Sequence, residues 1–343
     1  MGSPATIKDI AAQLGMAHST VSRALNDHPH IRQETKLLVR RAAAELGYVT
    51  NSGARLMRLG KSSMIGLIVP DVENPFYSAA AKVMAESCAA DGFQLMLAVS
   101  EDDPLQEQRQ VQALREARAA GVAVALTASP RPQTIALLRQ VPTVQLVRRD
   151  AALVADAVGI DDSAGTRIAT QHLLELGHRR IAFVGVLQQL STGAARLAGY
   201  RGALRDARIE AEPAFEKVGR PRPEFGRQAL SELLALRNRP TGVVLGSPQF
   251  MLGALDAIGA AKLSIPADLS IVGYGDTDWY RLWRPAITTV GLPLNDIAAT
   301  AASLLFRRIR KANDKTTESS PLHAPFLPSL IARASTAKPG RTR

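Results

Sequence analysis

The chain of 343 residues has one cysteine, Cys88, so no disulfide can close within it. Cys88 lies in the apolar run AAAKVMAESCAADG and reads as a small core residue. No basic stretch followed by an apolar segment opens the chain, and no apolar run reaches the length that spans a bilayer. These absences point to a cytoplasmic protein, with no membrane partner and not a periplasmic solute binder. Phosphate-cradling and nucleophile motifs of the types GxGxxG, GxxxxGK(S/T) and GxSxG are also missing. The six histidines are scattered, and none pairs with Cys88 or forms HExxH. His178, after Gly177, reads as a helix C-terminal residue rather than a catalyst. No enzyme activity, metal or cofactor is therefore expected.

What the chain has is positive charge, a formal +11. That excess favours an acidic polymer as partner. About half of it falls in the first 61 residues, where nine Lys or Arg face four acids. Hydrophobic content of 46% with 21% charged residues suits a globular protein, and the length suits two or three domains.

Residues 1–50 read as a small helix-turn-helix domain. Helices are expected at Ile7–Leu14, His18–Leu25 and near Gln33 to Leu46. Thr6 and Asp9 stand at capping-box spacing, and Gly15 ends the first helix before a sharp turn. Val21 and Leu25 would be buried, as would Leu37, Leu38, Ala42 and Leu46 of the third helix. His18, Ser19, Ser22 and Arg23 would then face outward, near the start of a helix that a major groove admits. Arg23 can fork onto a guanine, His18 and Ser19 can bond base edges, and Thr6, Thr20, Ser22 and Asn26 suit phosphates. A helical bundle with a merely solvated basic face would share this pattern.

Residues 51–61 read as a hinge or linker, too short for an independent helix. Asn51, Ala54, Arg55, Leu56, Met57 and Arg58 put apolar bulk between cations, as minor-groove insertion requires. A linker packed on one domain is the plainer alternative.

With these segments in view, the chain resembles the lactose-repressor (LacI/GalR) family of transcription regulators. The resemblance rests on TIKDIAAQLGMAHSTVSRALN, ETKLLVRRAAAELGY and IGLIVPDVENPFY in order, then IDDSAGTRIATQHLLELGHRRIAFVG, IPADLSIVGYGD and RPAITTV. It implies a DNA-binding repressor with a sugar or sugar-acid-like effector, acting as a homodimer on a pseudo-palindromic operator in double-stranded DNA. A solute-binding protein without a DNA role is the alternative, and it leaves residues 1–61 unexplained. The sequence departs from the family's pattern at Ala17, where a capping Ser or Thr is usual, and at Thr50 and Met57.

After Ser62 the pattern alternates between short apolar runs and helical stretches, as in buried parallel sheets. The fold class expected is an all-α helix-turn-helix head plus an α/β core of two doubly wound parallel-sheet lobes, like a periplasmic binding protein. The core would span 62–335, with lobe 1 at about 62–158 and 290–318 and lobe 2 at about 159–289 and 320–335. Residues 336–343 would be a disordered basic tail. Ligands bind beyond the carboxyl ends of such strands. By resemblance, Asn74 and Phe76 would line one wall, and Thr192, Arg196, Arg222, Ser247 and Asp276 the other. Arg196 could instead form an interlobe ion pair. Ser247-Pro248 and Gly275-Asp276 replace pairs common in the family. With Arg148, Arg149 and Arg220 nearby and Trp279 as a stacking platform, they suggest an anionic or sugar-acid effector.

Overall fold

The computed structural model describes residues 5–25, 27–48, 62–314 and 320–340. It divides into a head, up to Ser62, and a core from Ser63. The head holds α1 (Ile7–Leu14), α2 (His18–Leu25) and α3 (Gln33–Glu45). Its core is Ile10, Ala11, Val21, Ala24, Val39, Ala42 and Ala43. The capping box forms, with the Asp9 carboxylate accepting both the backbone N–H and the hydroxyl of Thr6 at 2.7 Å. The turn after α1 closes on Gly15, which adopts the left-handed conformation (φ 61°) that a side chain disfavours.

The third helix packs differently from expectation. Leu37, Leu38 and Leu46 are exposed at 64%, 47% and 37%. The buried face is instead Lys36, Val39, Ala42 and Ala43. Alanines let α3 approach its neighbours closely, and the Lys36 ammonium reaches the Asp27 carboxylate at 3.0 Å. Leu25 is only half-buried, leaving Val21 and Ala24 as the buried face of α2.

The core holds two six-stranded sheets. The first has the order β11-β5-β4-β3-β1-β2, from β1 (Met64–Val69), β2 (Gln94–Val99), β3 (Gly121–Val124), β4 (Thr143–Leu146), β5 (Asp156–Ile160) and β11 (His323–Phe326). All of its pairings are parallel. The second has the order β12-β10-β9-β8-β6-β7, from β6 (Ile181–Val186), β7 (Glu216–Gly219), β8 (Gly242–Leu245), β9 (Ser270–Tyr274), β10 (Thr288–Gly291) and β12 (Ser329–Ile331). Only β12 runs antiparallel to its neighbour.

Helices α4 (Pro75–Ala90), α5 (Pro104–Glu116), α6 (Pro132–Leu138) and α12 (Leu294–Asp314) accompany the first sheet. Helices α7 (Asp162–Glu175), α8 (Ser191–Asp206), α9 (Pro223–Leu234), α10 (Pro248–Ala260) and α11 (Asp278–Leu282) accompany the second. Proline opens α4, α5, α6, α9 and α10, where its missing N–H leaves no helical bond unmade. Asn74, Asp103 and Asp161 cap α4, α5 and α7 with side-chain oxygens. These devices start the helices sharply just past the strand ends.

Strand pairing moves the lobe boundaries. β5 reaches Ile160 in the first sheet, β10 keeps 288–291 in the second, and β11 returns 323–326 to the first. The chain therefore crosses after 160, between 291 and 294, and between 326 and 329, later than 158, 289 and 318. The tail differs too. Thr336 meets His172 at 2.9 Å, and the Ala337 carbonyl accepts from His178 at 2.9 Å, so residues 336–340 do not form the expected disordered tail.

Burial depresses the pKa values of His172 and His178, whose ring nitrogens hold this C-terminal segment. A folded pKa below the unfolded value of about 6.5 gives stability that is whole above that pH. It is lost as pH falls through the folded values. Urea midpoints should thus drop between pH 7.5 and pH 5, and less steeply in His172→Gln/His178→Gln. Equal slopes would rule these histidines out as the source.

Candidate functional site

A cavity of about 670 Å³, counting its open mouth, lies between the carboxyl ends of the two sheets. The order β3-β1-β2 in one lobe and β8-β6-β7 in the other puts a topological switch point on each side of it. Asn74, Phe76, Arg148, Thr192, Arg196, Ser247 and Asp276 all line the cavity. Arg222 does not. It lies exposed with Arg220 in an adjoining cleft shared with Asp71, Asp102 and Glu224. Trp279 lines neither and packs edge-on against Tyr280 at 4.6 Å, so it is no stacking platform.

Two buried arginines face the cavity, and each already has a carboxylate. The Arg196 Nε donates to Asp162 and its Nη1 to the Gly246 carbonyl, both at 2.7 Å. The Tyr274 hydroxyl donates to the same Asp162 oxygen at 2.7 Å, and the guanidinium carbon lies 4.1 Å above the Tyr274 ring. Burial disfavours the Arg196 charge, but Asp162 and then Tyr274 outweigh it and raise the pKa. Asp162 and Arg196 belong to one lobe, so this is not the interlobe pair that the sequence allowed. Gly165 makes room for it, since a Cβ there would stand 2.8 Å from the Tyr274 hydroxyl.

In the other lobe Arg148 chelates Asp102 with both terminal nitrogens. Arg148 follows Val147, which has φ 63° and closes a tight turn from the Arg148 N–H to the Leu146 carbonyl at 2.7 Å. A β-branched residue there stores strain of roughly 1–3 kcal/mol. The turn directs Arg148 off the strand end. Tyr77, buried beside both ion pairs, also lines the cavity. Burial first, and the charges of Arg148, Asp102, Arg196 and Asp162 after it, set its raised pKa, so it stays a neutral phenol.

Other polar groups complete the wall. The Asn74 oxygen caps α4 by accepting from Phe76 N at 3.1 Å, leaving its amide nitrogen for a ligand. Thr192 and Ser247 are buried hydroxyls at the starts of α8 and α10. The buried Thr277 hydroxyl has no hydrogen-bond partner among the described residues and borders the cavity. Asp276 is held bidentately by Arg333, both bonds 2.7 Å. Across the seam, Gln249 donates to Asp71 and the Arg149 N–H donates to Ser191, each at 2.9 Å.

Asp162, Tyr274 and Arg333 escaped the sequence reading, whereas Tyr77, Asp102 and Thr277 fall in strand-end loops that it marks (71–77, 100–102 and 275–279) without being singled out. Strand-end position could have flagged Asp162 and Tyr274, which flank the carboxyl ends of β5 and β9. Nothing local marks Arg333, whose partner stands 57 residues away.

In the head, His18, Ser19 and Arg23 are exposed on α2, with Thr20 and Ser22 half-buried beside them. Helix α2 starts from the Ala17 carbonyl, which accepts from Thr20 and Val21, with no side-chain cap. Asn26, Asn51, Ala54, Arg55, Leu56, Met57 and Arg58 lie outside the described residues. Among the described residues, no helix is long and apolar enough to cross a membrane.

A helix-turn-helix head on a two-lobed, ligand-binding core defines a ligand-responsive regulator. The family model for bacterial regulatory proteins of the lacI family matches residues 6–51, and a periplasmic binding protein-like domain matches 170–336. The HTH-type transcriptional repressor PurR of Pectobacterium carotovorum subsp. carotovorum (strain PC1) is 30% identical over 338 residues, 97% of each chain. Among solved structures, the Lac repressor dimer bound to operator and the anti-inducer ONPF has a TM-score of 0.83 at 25% identity, covering 98% of this chain and all of that one. A complex of the transcriptional regulator CelR with cellobiose has a TM-score of 0.72 at 29% identity, over 96% and 99% of the two chains. The chain belongs to the lacI family, and its head and core are that family's DNA-binding and effector-binding domains.

Removing Asp162 leaves the Arg196 charge buried and uncompensated. Asp162→Ala should cost roughly 3–5 kcal/mol in urea unfolding. A loss below about 1 kcal/mol, the scale of an exposed pair, would mean that water already screens this pair.

Proposed function

We propose that this chain is a cytoplasmic, homodimeric repressor whose hold on a pseudo-palindromic operator is set by a neutral, hydroxyl-rich effector between the lobes. One observation carries the effector class: both buried cavity arginines are matched by their own carboxylates. An acid would bring in an uncompensated charge, at a desolvation cost that neither arginine is free to offset. A sugar would meet what remains: the Asn74 amide, the hydroxyls of Thr192, Ser247 and Thr277, the Tyr77 phenol and the Phe76 ring. The sequence-based preference for an anionic effector is therefore replaced by its neutral counterpart. The cellobiose bound by CelR is of the neutral kind.

On the DNA side, His18, Ser19 and Arg23 read bases while Thr6, Thr20, Ser22 and Asn26 meet phosphates. Asn51, Ala54, Arg55, Leu56, Met57 and Arg58 form the hinge that enters the minor groove. The operator-bound dimer among the related structures supports this assignment. The two-fold symmetry of a homodimer matches that of the operator. The absence of a catalytic motif supports a regulator rather than an enzyme.

A thermal-shift screen of the full chain tests the effector class, because a ligand that binds only the folded state raises the midpoint. Neutral sugars should shift it, and the matching sugar acids should not. The reverse pattern would overturn the proposal. Arg23→Ala should cost about 1–3 kcal/mol in operator binding and relax one base position, whereas Lys8→Ala weakens all sequences alike. A uniform loss from Arg23→Ala would remove it from base reading.

A further inference from the structure

The amino ends of the second sheet, opposite the effector cavity, hold a separate cleft. Its walls include Arg180, Arg237, Asn238 and Arg239 beside His178 and Thr241. Arg180 precedes β6, and the other three residues lie in the loop between α9 and β8. The Arg180 Nε donates to the Arg239 carbonyl at 3.1 Å, which brings the two arginines together.

Several arginines of this lobe are compensated within it. Arg167, Arg196, Arg201 and Arg227 each bind a carboxylate. Arg180, Arg237 and Arg239 have no ion-pair partner among the described residues. Asp268, an acid on the same cleft, accepts instead from the Ser264 N–H at 2.8 Å. Arg180 and Arg239 are half-buried, so their charges are only partly screened by solvent. Both ring nitrogens of His178 are engaged, by Thr241 at 2.8 Å and by Ala337 at 2.9 Å, so the remaining side-chain donors of the cleft are guanidinium groups and the Asn238 amide. Three arginines against the single acid Asp268 leave the cleft with a positive excess, and guanidinium donors match the oxygens of a phosphoryl group.

We propose that this cleft is a second binding site, for a small phosphorylated metabolite, distinct from the effector cavity. The cavity neutralises its arginines internally and takes an uncharged ligand. The cleft leaves its arginines open and takes an anion. Its seat between β6, β8 and the C-terminal segment lets an anion bridge the loop before β8 to the start of β6.

Calorimetric titration of the full chain with inorganic pyrophosphate, in a phosphate-free buffer at low salt, tests this. The wild type should show saturable binding that weakens at least tenfold in Arg237→Gln/Arg239→Gln and largely returns in Arg237→Lys/Arg239→Lys. Arg222→Gln, at the interlobe cleft, should bind as the wild type does. The single Arg237→Gln variant, which changes an exposed side chain, should already weaken binding and covers the case in which the double variant does not fold. No saturable binding by the wild type, undiminished binding by the glutamine variants, or an equal loss in Arg222→Gln would each overturn the proposal.

Discussion

The site depends on two arginines buried between the lobes and kept charged by one carboxylate each. An unpaired guanidinium at that depth would carry a large desolvation cost. Arg196 with Asp162, and Arg148 with Asp102, turn that liability into fixed scaffolding. Each pair joins segments of a single lobe: Arg196 of α8 ties Asp162 to the loop after β8 in one, and Arg148 with Asp102 ties the loops after β4 and β2 in the other. The strained turn at Val147 persists because these contacts over-determine it. With both charges balanced internally, the proposed effector is left to hydroxyls, an amide and an aromatic face of the wall.

The same division of strength separates rigid parts from a movable one. Within lobes, the interior strands run parallel to one another, largely buried and backed by apolar clusters. Across the seam, the described hydrogen bonds include Gln249 to Asp71 and the Arg149 backbone to Ser191. Bonds of this kind are worth roughly 0.5–3 kcal/mol each, within the range a ligand's differential affinity can supply. A ligand that bridges the walls can therefore bias the angle between lobes without disturbing either. Three chain crossings join the two lobes.

The continuous apolar runs of the sequence, at 64–70, 93–100, 122–128, 143–147, 157–160, 180–185, 242–247, 269–275 and 287–291, each hold a strand, and eight of these nine lie inside a sheet with neighbours on both sides. β7, β11 and β12 were not legible because each is an edge strand, short and partly exposed, without an apolar run. Proline 325 sits within β11, where a strand with one neighbour tolerates it. Missing β11 misplaced the last crossing between lobes. In the head, three leucines suggested the wrong face of α3, because small alanines and a paired lysine make the close contact. The cavity wall was legible from strand-end position and resemblance, but its charge balance was not. Asp102, Asp162 and Arg333 reach their partners across 34 to 57 residues, and no local pattern carries that pairing. Trp279 was misjudged because its place just past a strand end gave no sign of the Tyr280 and Trp283 rings that it packs on.

The central claim is that one protein couples a cavity of balanced charge to a DNA-reading head. Coupling between two binding sites is reciprocal, so operator DNA must change effector affinity by the factor with which effector changes operator affinity. The most direct measurement is the dissociation constant of a neutral sugar effector for the full chain, with and without saturating operator, beside the converse titration. Equal factors, both well away from one, are the predicted result. An effector affinity indifferent to operator would contradict the account.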